Sequence, residues 1–449
     1  MNKAEEWAVE QWGGADLGDE RRTQRAVLLG TALAANPGGG LPKQTDQWGD
    51  LKAAYRLLSN DAVSHEALQK EHRAQVRQLA LAQDRVLFIQ DTTELDYTKH
   101  NAVEGLGPIG DHVGKGLLAH SCLAVTPKGV VLGLAYQQVW ARQECAFKPA
   151  ESRGERARRE NKESAVWGKT LTGIGQAAMG AQWVSVGDRG SDIFAYWRQA
   201  HESGWHCLLR VFVERRIEPC GPTDHLLAHA RQLAPMAQGE LTLRARPGQA
   251  ARVASLQIAW SAIRVRAPRN DPGSAKATAL DASVIRVWEQ DVGGLEWVLL
   301  ATWPVHSAQD AWQCVSEYRL RWTIEEYHKC LKTGCRIESA QLKSADGLKA
   351  LLGFHGVIAA HLLQMSKNAD DAPDALAMES FMPEAVEVMA KRTGLPCNEM
   401  TVARFRLELA KLGGFIGRKS DGKPGWQTMW RGWQELMLMT IGYMIGKSG

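Results

Sequence analysis

Two aspartates stand where apolar runs end. Asp91 follows VLFIQ and Asp188 follows WVSVG, and both runs read as buried strands. Carboxylates at the C-terminal ends of neighbouring strands sit where α/β sheets gather their ligands. Two of them, with a third acid nearby, can hold two divalent cations about 3.5–4 Å apart for in-line attack on a phosphodiester. Hard cations of the magnesium type favour such oxygen ligands over thiols. Either aspartate taken alone fits a turn or a helix cap equally well.

The third acid comes from SEYRLRWTIEEYHKCLKTG, which reads as a helix ending near Gly334. At about 100° per residue, Tyr318, Arg321, Glu325 and Lys332 fall within an arc of about 60°, with Lys329 beside it. Glu326 lies off that stripe, so Glu325 is the acid aligned with the aromatic and the bases. One face thus offers a carboxylate beside Arg and Lys side chains that can grip phosphates. A solvated face with a Glu325–Lys329 pair at i, i+4 is the plainer alternative.

The surrounding pattern supplies elements to position these groups. Residues 1 to about 75 read as short helices: LGDERRTQRAVLLGTALAAN, WGDLKAAYRLLSN, and SHEALQKEHRAQVRQLALAQ with Ser64 at its start. From Arg85 the period changes to strands. HSCLAVT and VVLGLAYQQVW form a hairpin split at Pro127-Lys128-Gly129, after which a polar segment (150–163) precedes a helix over 166–179. The strand ending at Asp188 is followed by the helix SDIFAYWRQAHES and the strand HCLLRVFV. Residues 220–306 alternate as separate antiparallel strands (LTLRARP, VASLQIAW, SAIRVRAP, ASVIRVW, LEWVLLATW), an insertion within an α/β domain. Long helices resume at Ser307.

Composition narrows the class. The 449 residues are 45% hydrophobic and 23% charged, ordinary values for a globular protein. No run approaches the roughly 18 apolar residues of a membrane span, and the acidic start MNKAEEWAVEQWGG is unlike a secretory signal, so a cytoplasmic location is expected. None of the eight cysteines forms a C-x-x-C pair; His328, Cys330 and Cys335 lie close in sequence but are a poor zinc pattern. Gly114-Lys115-Gly116 lacks the spacing and hydroxyl of a phosphate loop, so no nucleotide cofactor is expected. Net charge is only +4, yet from Lys391 onward ten basic residues face four acids, a surplus able to serve a phosphate backbone.

Tyr318, Arg321, Glu325 and Lys332 reproduce the Y-(2)-R-(3)-E-(6)-K signature of DDE-class insertion-sequence transposases, and the chain resembles their IS-four family. The resemblance covers almost the whole chain. It includes LGDERRTQR, AAYRLLSN, the D-T-T from Asp91, K-E-S at 162–164, D-R-x-x-D-I from Asp188, and L-G-G-F at 412–415. It is weakest in the 220–306 insertion and the C-terminal helices.

That resemblance implies an α/β, RNase H-like catalytic domain over 76–375 with the antiparallel β insertion. A helical N-terminal domain (1–75) that binds transposon ends and a helical C-terminal dimerisation domain (376–449) would flank it. It implies that Asp91, Asp188 and Glu325 bind two Mg²⁺ or Mn²⁺ ions per site. A nick at the transposon end, hairpin formation, hairpin opening and joining to target DNA would all proceed there. Trp297 matches the family's base-holding tryptophan, Tyr318, Arg321 and Lys332 its grip on the adjoining phosphate, and Arg210 an arginine near the bound end; Lys329 lies beside that grip. Arg21, Arg22 and Arg25 on one N-terminal helix, with Lys52, Tyr55 and Arg56 on the next, would read the DNA end. The implied partners are double-stranded DNA, at transposon ends and target, and a second copy in a synaptic homodimer, with no membrane. Two other classes share these features: a non-catalytic DNA-binding relative, and a metal-dependent nuclease without a joining step. The intact triad and N-terminal module argue against the first, and Tyr318, Trp297 and Lys332 against the second.

Overall fold

The computed structural model describes residues 3–45, 47–110, 113–143, 163–218, 221, 223–243, 252–269, 279–290, 294–367, 373–418, 424 and 426–448. The polar segment expected at 150–163, apart from Glu163, lies outside them, as does Lys162.

Helices α1 (Lys3–Trp12), α2 (Glu20–Ala35), α3 (Trp48–Leu58) and α4 (His65–Leu81) open the chain. Asp19 caps α2 by accepting the Arg21 N–H at 2.8 Å, and Ser64 caps α4 by accepting that of Ala67 at 3.1 Å; such caps contribute about 1 kcal/mol each. Helix α4 runs across the boundary expected at 75, so Val76 and Ala80 join the core of the following domain.

Ten strands form one sheet: β1 (Arg85–Asp96), β2 (Gly107–Ile109), β3 (Gly114–Val125), β4 (Val131–Trp140), β5 (Gln182–Gly187), β6 (His206–Arg210), β7 (Ala237–Leu243), β8 (Arg252–Arg266), β9 (Ala279–Trp288) and β10 (Glu296–Ala301). The order is β2-β3-β1-β5-β6-β10-β9-β8-β7, with β4 also on β3. The central β1-β5-β6 set is parallel; β3 and β10 join it antiparallel on either side. The insertion therefore extends the main sheet through β10. VASLQIAW and SAIRVRAP, expected as two strands, are the single 15-residue β8, whose pairing with β9 runs without a register break from Gln257 to Arg266.

Alternation also divides the core. Leu87, Ile89, Val184, Val186, Leu208 and Leu299 face one way; Val86, Phe88, Trp183, Cys207, Leu209 and Leu300 face the other. The second face is covered by α5 (Val166–Ile174) and α6 (Phe194–Glu202), through Trp167, Leu171, Tyr196 and Trp197. Gly133 on β4 has φ +144°, and a Cβ there would meet Val76 Cγ2 at 2.5 Å, so close packing of α4 on the sheet requires glycine.

The first face is covered by α7 (Ala308–Arg319), α8 (Trp322–Lys329) and α9 (Ala345–Lys367). Helix α9 corrects the expectation that no run approaches a membrane span: it is long and apolar enough to cross a bilayer, but 78% of its apolar window is buried inside the protein. An all-round apolar helix of this kind belongs in a core. Helices α10 (Pro383–Thr393), α11 (Val402–Leu412) and α12 (Trp426–Ser448) close the chain, with Phe381 stacked on Phe405 at 4.4 Å.

The helix expected to run unbroken to Gly334 is in three pieces. Leu320 and Arg321 keep helical angles but separate α7 from α8, and Cys330–Gly334 forms a π turn closed by Cys335 N–H to the Cys330 carbonyl at 2.8 Å. Such turns shift the phase of every later residue.

Candidate active site

The parallel ladder sets the site's geometry. Ile89 pairs with Val186, and Val186 with Leu208, so Asp91, Asp188 and Arg210 each lie two residues beyond a matched position. Paired strands run about 4.8 Å apart, and a step of two keeps side chains on one face. Leu299 pairs with Arg210, and Trp297 precedes Leu299 by two residues on the same face of β10. Asp91, Asp188, Arg210 and Trp297 thus form a row along one end of the sheet. Asp91 does not end its strand as expected: β1 continues to Asp96 on β3, and Asp91 lies two residues beyond the last pair with β5, Ile89 with Val186.

Helices α7 and α8 place the opposing groups. Tyr318 is buried and meets Trp297 edge-to-face at 5.5 Å. Arg321 donates to Glu325 Oε1 at 2.8 Å. Glu326 pairs instead with Lys367 on α9, 2.6 Å away, whereas the charge of Glu325 reaches Asp91. Lys329 is exposed. Lys332 lies on the π turn and approaches Glu338 at 3.4 Å, near Asp96.

Charge ties these groups together. Burial, then Asp188, and more weakly Glu325, raise the Asp91 pKa to about 6; the Thr92 N–H and Arg321 oppose the shift. Burial, with Arg189 and Arg321 nearby, pulls that of Arg210 below the usual guanidinium range. The carboxylates of Asp91, Asp188 and Glu325 are thus gathered near the guanidiniums of Arg189, Arg210 and Arg321. The donor set is all oxygen, matching a hard divalent cation. Among the described residues no three His, Cys, Asp or Glu side chains form a ready-made cage, and Glu325 is engaged by Arg321. His328 is buried with its pKa lowered to about 3, and Cys330 and Cys335 are buried.

A buried polar network supports the row. Thr92 Oγ1 contacts His120 Nδ1 at 2.8 Å, His120 Nε2 contacts Gln90 Oε1 at 3.0 Å, and Gln90 Nε2 donates to Ser185 Oγ at 2.7 Å. Tyr327 on α8 accepts from Gln137 Nε2 at 3.0 Å, fixing the helix that carries Glu325. The sequence reading assigned none of these a role, nor Arg189 or Asp192. Both lie within the D-R-x-x-D-I match, the one signal that could have marked them.

The start of β1 is tied to α7 by Arg85, whose Nε and Nη2 each reach Glu317 at 2.8 Å, while its guanidinium lies over Trp303. Glu317 precedes Tyr318 and is only 1% exposed. Arg85→Ala should therefore cost about 3–5 kcal/mol in urea unfolding, since it strands a buried charge, and Arg85→Met/Glu317→Leu should recover most of it. A loss below about 1 kcal/mol would show that water reaches Glu317.

Residues 4–63 match the model of a transposase DNA-binding domain, and residues 360–448 that of the Tn5 transposase dimerisation domain. These two matches, near the start and the end of the chain, support a Tn5-like transposase of the IS-four family. Among solved structures, the cryo-EM structure of a piggyBac transposase synaptic complex with hairpin DNA is similar to 98% of this chain and 78% of its own, at 9% identity and TM-score 0.38.

The two matched regions of this transposase differ in surface. In the DNA-binding domain Arg22 donates to the Leu17 carbonyl at 2.8 Å and Arg25 pairs with Asp50 at 2.7 Å, so both serve the module itself. Tyr55 packs partly against the core, whereas Arg21, Lys52 and Arg56 are exposed. Exposed Trp48 beside them carried no expectation. In the dimerisation domain, α12 leaves Leu438 and Ile445 66% and 70% exposed, with Met439 and Met444 also open and Leu407 on α11 at the margin.

Proposed function

We propose that this transposase binds the inverted-repeat ends of a mobile element, nicks them, forms and opens a DNA hairpin, and joins the freed 3′ ends to target DNA. The row of Asp91, Asp188 and Arg210 facing Glu325 and Arg321 carries this reading. The strand order, parallel at β1-β5-β6 with β3 and β4 antiparallel beyond β1, supports an RNase H-like catalytic domain.

Asp91, Asp188 and Glu325 would hold two Mg²⁺ or Mn²⁺ ions, which when bound supply charge neutralisation and an activated oxygen nucleophile. Glu325 would turn from Arg321 to join the aspartates, leaving that guanidinium for a phosphate oxygen. Arg210 would hold a neighbouring phosphate, and Tyr318 and Trp297 would receive a base displaced by hairpin bending. Lys332 and Lys329 would reach the backbone on the outer side. Arg21, Lys52 and Arg56 would meet the transposon end, with Arg22, Arg25 and Tyr55 shaping that surface. The open apolar side chains of α11 and α12 would pair two copies across two ends.

Incubation with DNA bearing the inverted repeats and Mg²⁺ tests this on a denaturing gel. Hairpin-ended, then joined, products are expected, and excess EDTA should stop all of them. Linear cuts without hairpins or joining would select the nuclease reading. Binding without cutting would select the non-catalytic one.

A further inference from the structure

We propose that Phe212, beside Arg189, is a stacking platform for one unpaired nucleotide bordering the cleaved phosphate. The proposal rests on the transposase reading and adds a DNA contact to it. Phe212 follows β6 by two residues and is 61% exposed, unusual for a phenylalanine in a charged cleft. Its backbone is nevertheless fixed. The buried Asp192 carboxylate accepts the N–H groups of Phe212 and Val213 at 2.7 Å each. It also receives two Arg215 donors, at 2.9 and 2.7 Å, and that guanidinium lies over the Trp197 ring at 4.5 Å. An exposed aromatic on a clamped loop is ordered before anything binds, so little entropy remains to be lost on contact.

The neighbours specify the ligand. Arg189 directly follows Asp188, and its guanidinium lies 5.2 Å from the Phe212 ring centre. Its charge also reaches Arg210. The Arg189 guanidinium lies over one face of the ring, so cations for a phosphate and an exposed aromatic stand together beside Arg210. A nucleotide with its base out of the stack presents that pair of groups, and every base has a face to offer. Paired duplex keeps its bases inside and leaves Phe212 against water. Trp297 is a separate surface, since it is half-buried and packed on Tyr318.

The test uses the full chain and inverted-repeat DNA carrying 2-aminopurine at successive positions around the nick. At one position, binding should change the fluorescence in the manner of a base stacked on a side chain. Phe212→Ala should abolish that change and weaken binding about 5- to 150-fold, while Phe212→Trp should keep both. Removing the base at that position should erase the difference between wild type and Phe212→Ala. Phe212→Ala protein that is folded by circular dichroism yet matches wild type at every position overturns this proposal alone. Wild-type protein that binds none of these DNAs overturns it together with the transposase reading.

Discussion

Asp91→Asn should lower nicking by at least roughly 10²–10³-fold and at the same time make the fold more stable. The Asp91 pKa rises from 3.8 to about 6 on folding, chiefly through burial and then Asp188. A carboxyl raised in this way destabilises the folded state wherever the group is ionised in it. The cost is absent below pH 3.8, grows as pH rises toward 6, and is full above that. A shift of this size amounts to about 3 kcal/mol at neutral pH, so asparagine should recover about 1–3 kcal/mol, read as a higher thermal midpoint at pH 7.5. DNA-end binding should persist. Glu325→Ala should be similarly inactive, while Glu326→Ala, which removes the pair with Lys367, should keep most activity. A less stable Asp91→Asn protein, or an inactive Glu326→Ala beside an active Glu325→Ala, would contradict this account.

The second large effect is acid unfolding near pH 5. Burial holds His72, His120 and His328 at about 3, and His65 and His355 at about 4, against 6.5 in the open chain. His72 shows why. Its Nδ1 contacts Gln11 Oε1 at 2.7 Å and its Nε2 accepts the Leu134 N–H at 3.1 Å, an arrangement for the neutral ring alone. These groups favour folding fully above pH 6.5, and the benefit drains as pH falls from there toward 4. Each costs about 1.4 kcal/mol per pH unit, so five together lose about 7 kcal/mol per unit. Relief of Asp91 returns at most about 3 kcal/mol over the same range. Against a total stability of about 5–15 kcal/mol, the fold should fail one to two units below pH 6.5. Far-ultraviolet circular dichroism against pH checks this, and a chain intact at pH 4 would mean the imidazoles reach water.

Much of this was legible in the sequence. The short apolar runs before Asp91 and Asp188 mark β1 and β5 because a buried parallel strand must be apolar on both faces. The arc that favoured Glu325 over Glu326 agrees with the structure across Tyr318, Arg321 and Glu325, although two residues interrupt the helix there. The π turn over Cys330–Gly334 was not legible, because the residue types in CLKTG do not encode an extra peptide unit per turn. The extension of β1 to Asp96 was hidden because DTTELD is half-exposed and its partners on β3 lie twenty to thirty residues away. The clamp of Asp192 on Phe212 was hidden for the same reason: it joins two loops through backbone N–H groups, which every residue but proline possesses.

Because the acidic row is assembled by register, its chemistry obeys a rule of parity. Removing one residue within β5 or β6 would turn Asp188 or Arg210 to the opposite face, among Trp167 and Tyr196, while the strand could still pair. Removing two would restore the face but withdraw the group by a full repeat, about 7 Å. Length changes in β5 and β6 are therefore doubly penalised, whereas turns between strands can vary freely. Diversification of such an enzyme is channelled into its connections, leaving the spacing from Asp91 to Arg210 across the sheet as its least negotiable dimension.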